Sequence, residues 1–251
     1  MAKLVNALAL GASGETHEGS SPFSGTMKPD IIYEDENILV INKPSGMVVH
    51  PFDYSTEYTL VDFLLEKYPK IFDIDNKVTL QDGRMIALGG IVHKLDRDTS
   101  GVVVIAKNQK TFDDLKTQFK NHTTKKKYVA KVEGLIEKDN FTINAPLGRG
   151  KKDYKQSTNP INPRGELRNA ITKVKVVERK NNTTLVELSP ITGRTHQLRA
   201  HMSSISHPIV GDKAYGSKIE SPRIMLHAKS ISFLLNGEEK TFETEVPESF
   251  K

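Results

Sequence analysis

Apolar positions along this chain follow two alternating rhythms. Ile38 to Ile41 and Val102 to Ala106 are short, largely β-branched runs and read as strands. Tyr128 to Glu133, Ile171 to Val177 and Leu185 to Leu188 read the same way, and Ile224 to Leu235 forms a late strand region with a mostly apolar face. Helical spacing takes over elsewhere. Leu60, Phe63 and Leu64 share one face of a helix that Pro69 ends. Phe112, Leu115 and Phe119 recur at i, i+3 and i+7 in a second helix, and Arg194 to Ser203 reads as a third. The Lys43-Pro44-Ser45-Gly46 segment reads as a turn between extended runs. This succession predicts an α+β fold, a mixed and mainly antiparallel sheet flanked by helices.

Residues 1–30 are rich in Gly, Ser, Thr and Pro and lack periodicity, so they are expected to form a mobile tail. One domain is expected over residues 31–251. No apolar run approaches the length of a membrane span, and the chain has no cysteine. Disulfides, thiolate metal sites and cysteine nucleophiles are thereby excluded, and a cytoplasmic protein is expected. The formal net charge is +5, a mild pointer to a polyanionic partner. Its distribution says more. Lys107, Lys110, Lys116, Lys120, Lys125, Lys126, Lys127 and Lys131 crowd one stretch, and Arg149, Lys151, Lys152, Lys155, Arg164 and Arg168 another. A solvated face is the ordinary fate of such runs. Beside a catalytic loop, a surface that tracks phosphates becomes the better reading.

His93-Lys94-Leu95-Asp96-Arg97-Asp98-Thr99-Ser100-Gly101 is the candidate for that loop. It sets Asp96 between basic neighbours, and a Thr99-Ser100-Gly101 turn follows, leading into the Val102 run. A carboxylate held there can serve as nucleophile or general base. An Asp/Ser/Thr-rich turn before a buried strand accounts for the loop equally well. Other segments shift that balance. Ile38 to Pro51 around Lys43-Pro44-Ser45-Gly46, Lys125-Lys126-Lys127-Tyr128-Val129-Ala130-Lys131-Val132, and Thr192-Gly193-Arg194-Thr195-His196-Gln197-Leu198-Arg199-Ala200-His201-Met202, running on to His207-Pro208-Ile209-Val210-Gly211-Asp212, follow in order. Together with the Asp96 loop they resemble the characteristic blocks of the RluA-type pseudouridine synthases.

The resemblance implies the pseudouridine synthase catalytic fold and an isomerase that converts uridine to pseudouridine in ribosomal or transfer RNA. It gives Asp96 the essential carboxylate, Tyr128 the ring that packs against the target base, and Arg199 the guanidinium that pairs with Asp96. Arginine suits that task because its planar fork can hold both carboxylate oxygens. Lys94, Arg97, Lys125, Lys126, Lys127, Arg194 and His196 are the candidate RNA contacts. Arg194, five residues before Arg199 on the same expected helix, would point elsewhere and meet phosphate. Relatives commonly carry arginine where this chain has Lys94; lysine neutralises phosphate but has no planar group to fill the gap left by an extruded base. Many relatives also carry a small N-terminal RNA-binding domain of the S4 type, which thirty residues of this composition are not expected to form. No cofactor and no metal are expected, since the spacing of His196, His201 and His207 matches no zinc motif. A monomer is expected. The rival readings are a catalytically silent RNA-binding module and a glycosidase built on Asp96 and Asp98.

Overall fold

The computed structural model describes residues 28–51, 57–80, 83–149, 155–158 and 164–250. The expected tail therefore falls almost wholly outside the described residues. A hairpin of β1 (Asp30–Glu34) and β2 (Ile38–Lys43) opens the fold. It is followed by α1 (Leu60–Lys67), a 3-10 turn (Pro69–Asp73), the short pair β3 (Lys77–Thr79) and β4 (Met85–Ala87), β5 (Ser100–Ala106) and α2 (Gln109–Lys120). The second half holds β6 (Lys125–Glu133), β7 (Asn140–Asn144), β8 (Leu147–Arg149), β9 (Gln156–Ser157), β10 (Arg164–Arg168), β11 (Ile171–Lys180) and β12 (Thr183–Pro190). Last come α3 (Gln197–Ser204), a 3-10 turn (Lys213–Tyr215), β13 (Leu226–Leu235) and β14 (Glu238–Glu243). The fold is α+β, as the apolar pattern predicts.

Nine strands form one sheet in the order β1-β2-β5-β13-β6-β12-β11-β7, with β14 paired to β13. Within it β13 runs parallel to β5, and its other pairings are antiparallel. Strands β10-β8-β9 make a separate small sheet. Local chemistry sets the helix ends. The Thr59 hydroxyl oxygen accepts from the Asp62 amide while the Asp62 carboxylate accepts from the Thr59 amide, a reciprocal cap that starts α1. Asn108 caps α2 by accepting from the Thr111 amide.

Two large apolar clusters account for most of the core among the described residues. One gathers β2, β5, α1 and α2 through residues such as Ile41, Phe63, Val104 and Leu115. The other gathers β6, β11, β12 and α3 through Ala130, Val174, Leu188 and Met202. Tyr128 packs against both. It therefore stands at the seam, where two separately packed halves leave an opening. Strand alternation divides the lysines of β6. Lys126 shares the face of Tyr128, whereas Lys125 and Lys127 lie on the opposite face and pair with Glu239 and Glu187.

Gly101 is not the turn residue its neighbours suggest; the turn is made one step earlier, where the Thr99 amide donates to the Asp96 carbonyl at 3.1 Å. Gly101 already lies in β5, at φ 118°. A Cβ there would sit 2.2 Å from the Ala228 carbonyl oxygen of β13. The parallel junction between the two halves thus depends on a missing side chain. Gly101→Ala is expected to destabilise the fold by at least about 2 kcal/mol, read as a lowered midpoint in urea unfolding. An unchanged midpoint would show that the β5–β13 contact is looser than described.

Candidate active site

The Asp96 loop is fastened at both ends. Before Asp96, His93 accepts the Val104 amide on Nε2 at 3.0 Å and stacks on Phe119 with centroids 4.6 Å apart. Burial pushes the His93 imidazole down to about 3, which keeps Nε2 free to accept. After Asp96 the loop is fastened by the first block. Lys43 is fully buried and its ammonium donates to the carbonyls of Pro44, Met47 and Arg97 at 2.9, 2.8 and 2.9 Å. The Gly46 amide donates to the same Arg97 carbonyl at 2.9 Å, and the Ser45 hydroxyl donates to the Asp98 carbonyl at 2.7 Å. Burial pushes Lys43 down to about 7, against the opposing pull of the Asp98 and Asp96 charges. The Lys-Pro-Ser-Gly turn is thus the clamp on the catalytic-loop candidate, a task invisible in the sequence because its partners lie more than fifty residues on.

Arg199 reaches the site from α3. That helix begins at Gln197 rather than Arg194, because His196 takes a left-handed conformation (φ 53°) immediately before it. Gln197 explains the local fold. Its side-chain oxygen accepts from the Thr192 hydroxyl at 2.8 Å and the Arg194 amide at 3.0 Å, and its amide donates to Ile171 O and Thr172 Oγ1, both at 3.0 Å. These four bonds wrap residues 192–196 into a loop. Arg194 accordingly lies in that loop, its Nε donating to the Asn169 carbonyl at 3.1 Å, and the helical-wheel argument for its direction does not apply.

The planar fork of Arg199 is not spent on Asp96. Nε and Nη2 donate to the two oxygens of Asp212 at 2.6 and 2.9 Å, and Asp212 is 1% exposed. The remaining Nη1 faces Asp96 Oδ2 at 3.5 Å. Tyr215 packs under the guanidinium, its ring centroid 4.9 Å from Cζ. Burial works against the Arg199 charge, yet the hydrogen bonds and charge of Asp212, with Asp96 behind them, raise its pKa above the ordinary value. His196 stands beside the pair, Nε2 3.8 Å from Asp96 Oδ2 and Nδ1 3.1 Å from the Tyr215 hydroxyl. Burial lowers its pKa, so the neutral imidazole is favoured. Asp212 and Tyr215 are the site residues that sequence reading left without a role: a short Val-Gly-Asp turn carries no sign of the arginine thirteen residues before it.

These groups open on a cleft of about 330 Å³ lined by Asp96, Tyr128, Arg199, His196, Lys126 and Lys94, with Phe119, His122 and Arg194 farther along its wall. The structure thus brings all three predicted catalytic residues to one cavity. Of the predicted RNA contacts it places Lys94, Lys126, Arg194 and His196 on the cleft. Arg97 instead meets Glu57 at 3.0 Å on an exposed surface, and Lys125 and Lys127 lie behind the sheet. Tyr128 remains a neutral phenol, since burial and then the Asp96 charge both raise its pKa. The other two histidines of the last block have separate partners. His201 bonds to Thr172 Oγ1 and the Ala145 carbonyl, and His207 to the Glu133 carbonyl.

One carboxylate held beside a guanidinium, an aromatic ring at the seam of two half-domains and a basic rim fit an enzyme whose substrate is a polyanion. A family model described as RNA pseudouridylate synthase matches residues 37–204, and the chain belongs to this family. It is an enzyme that isomerises uridine to pseudouridine in RNA. An uncharacterised RNA pseudouridine synthase of Bacillus subtilis is 41% identical over 226 residues, covering 88% of this chain and 70% of the relative. The ribosomal large subunit pseudouridine synthase D of Zymomonas mobilis is 34% identical over 234 residues, again covering 88% and 70%. Among solved structures, human RNA pseudouridylate synthase domain containing 1 superposes with a TM-score of 0.70 at 25% identity, covering 92% of this chain and 86% of its own. Among the described residues, no helix is long and apolar enough to cross a membrane.

Proposed function

We propose that Asp96 is the carboxylate that drives the isomerisation, and that the substrate is ribosomal RNA of the large subunit. The observation that carries the first part is the approach of Arg199 Nη1 to Asp96 Oδ2 at 3.5 Å, on a cleft whose wall is Tyr128. The reaction breaks the bond from ribose C1′ to uracil N1, turns the base and joins C1′ to C5. The hydrogen of C5 is lost to solvent and N1 gains a proton, so nothing is added or removed overall. An anionic carboxylate beside the ribose and base meets that demand. Tyr128 supplies a flat neutral face for an uncharged pyrimidine, and such stacking is worth about 1–3 kcal/mol. Lys94, Lys126, Arg194 and His196 line the path of the phosphates, which adds affinity without reading sequence. A silent RNA-binding module would have no use for an arginine fixed by a second, fully enclosed carboxylate.

The ribosomal target rests on the relatives named ribosomal large subunit pseudouridine synthase D, at 34–35% identity. In this reading the enzyme works as a monomer in the cytoplasm, beside the RNA it modifies. Pseudouridine mapping of total RNA from cells lacking the protein tests it. One or a few pseudouridines are expected to disappear from the large-subunit RNA and return with the wild-type gene. Loss confined to transfer RNA would overturn the choice of substrate.

A further inference from the structure

A second hollow, of about 340 Å³, adjoins the cleft and shares Arg194 and Thr195 with it. Its far wall is the small sheet, which contributes Arg149, Gln156, Glu166 and Arg168. Among the described residues, three guanidinium groups therefore line one concave surface, against a single carboxylate. Arg149 and Arg168 are exposed and form no ion pair with any described residue, including Glu166. Arginines that serve the fold are ordinarily paired, as Arg179 is with Asp139 and with the Ile136 and Glu137 carbonyls. Arg149 and Arg168 have no such partner among the described residues, and Arg194 commits its Nε to the Asn169 carbonyl.

The small sheet is also fixed to the catalytic groups. The Gln156 amide donates to the Tyr215 hydroxyl at 2.8 Å, the same tyrosine that packs on Arg199 and meets His196. Leu147 and Ala170 are buried with Ala200 of α3 and Tyr215. An anion seated among Arg149, Arg168 and Arg194 is thus held in fixed register with Asp96. We infer that this hollow binds a backbone phosphodiester of the RNA strand next to the target nucleotide, and so fixes the register of that nucleotide against Asp96. Guanidinium forks match phosphate oxygens in pairs, and the shared Arg194 lets the strand pass from one hollow to the other. The inference rests on the RNA-modifying reading of the cleft.

The test uses the full chain and unmodified large-subunit ribosomal RNA transcribed with uridine tritiated at C5. Binding is measured across a salt series and turnover by tritium release. Arg149→Gln with Arg168→Gln is expected to weaken binding about tenfold and to flatten the log K against log salt slope by roughly 0.7 per lost phosphate. KM should rise by a similar factor while kcat at saturating RNA holds. Arg149→Lys with Arg168→Lys should restore the slope. Lys173→Gln with Lys175→Gln removes the same charge from the opposite face of the main sheet and should change little. Unchanged binding and slope in the arginine-to-glutamine protein would overturn the inference. So would an equal loss in both glutamine proteins, which would reduce the hollow to part of a general field. Should the wild type bind this RNA yet release no tritium, the choice of substrate fails, and the binding comparison still decides the hollow.

Discussion

An Asp96→Asn enzyme will hold RNA at least as tightly as the parent and convert no uridine. The change keeps the shape of the side chain and removes its charge. Arg199 stays in place because two of its three nitrogens are bound to Asp212, so the helix bearing it has no reason to move. Asp96 is itself 24% exposed, and its loss leaves no buried charge behind. Affinity should be equal or severalfold higher, since a carboxylate in a basic cleft repels phosphate. Turnover should fall by at least about 10³-fold, equivalent to roughly 4 kcal/mol of barrier. Tritium release and filter binding on the same preparation separate the outcomes. Loss of binding together with turnover would give Asp96 a structural task.

Asp212→Asn should produce the second-largest effect, although Asp212 is enclosed behind Arg199. Its carboxylate accepts Arg199 Nε and Nη2 and also the Tyr215 amide at 3.3 Å. Truncating one member of a buried ion pair costs about 3–5 kcal/mol, because the other charge is left without its partner. Stability should fall accordingly. More telling is what Arg199 does next. Released from Asp212, its fork can close on Asp96 and bind both oxygens, which ties up the group that must act. Turnover per folded molecule should therefore drop about a hundredfold with little change in KM. A merely structural role would reduce the folded fraction and leave turnover per folded molecule intact. Titrating active sites beside a thermal melt distinguishes the two.

Much of this fold is legible in the chain because local patterns and tertiary structure agree. The runs at Ile38 and Val102 are strands with both faces buried, and Phe112, Leu115 and Phe119 do lie on one helical face. Alternation along β6 was equally available, and it separates Lys126 from Lys125 and Lys127. Harder to read are features created by long-range contact. A left-handed His196 and the four bonds of Gln197 start at Gln197 a helix that the sequence reading begins at Arg194. Gly101 reads as a turn residue until β13 is laid beside it. Of the site, Asp96, Tyr128 and Arg199 stand out through their motifs. The tasks of Asp212, Tyr215 and Lys43 do not, although Lys43 and Asp212 lie in recognisable blocks, since each acts through a partner that only the folded chain supplies.

A crystal structure of the enzyme bound to its RNA, with 5-fluorouridine at the target position, tests the central claim most directly. Fluorine replaces the hydrogen that must leave C5, so the final step is blocked and the nucleotide stays in the site. The expected result is an extruded nucleotide with its pyrimidine against the Tyr128 ring and its sugar or base in contact with the Asp96 carboxylate. A pyrimidine bound elsewhere on the surface, with Asp96 facing only Arg199 and solvent, would contradict it.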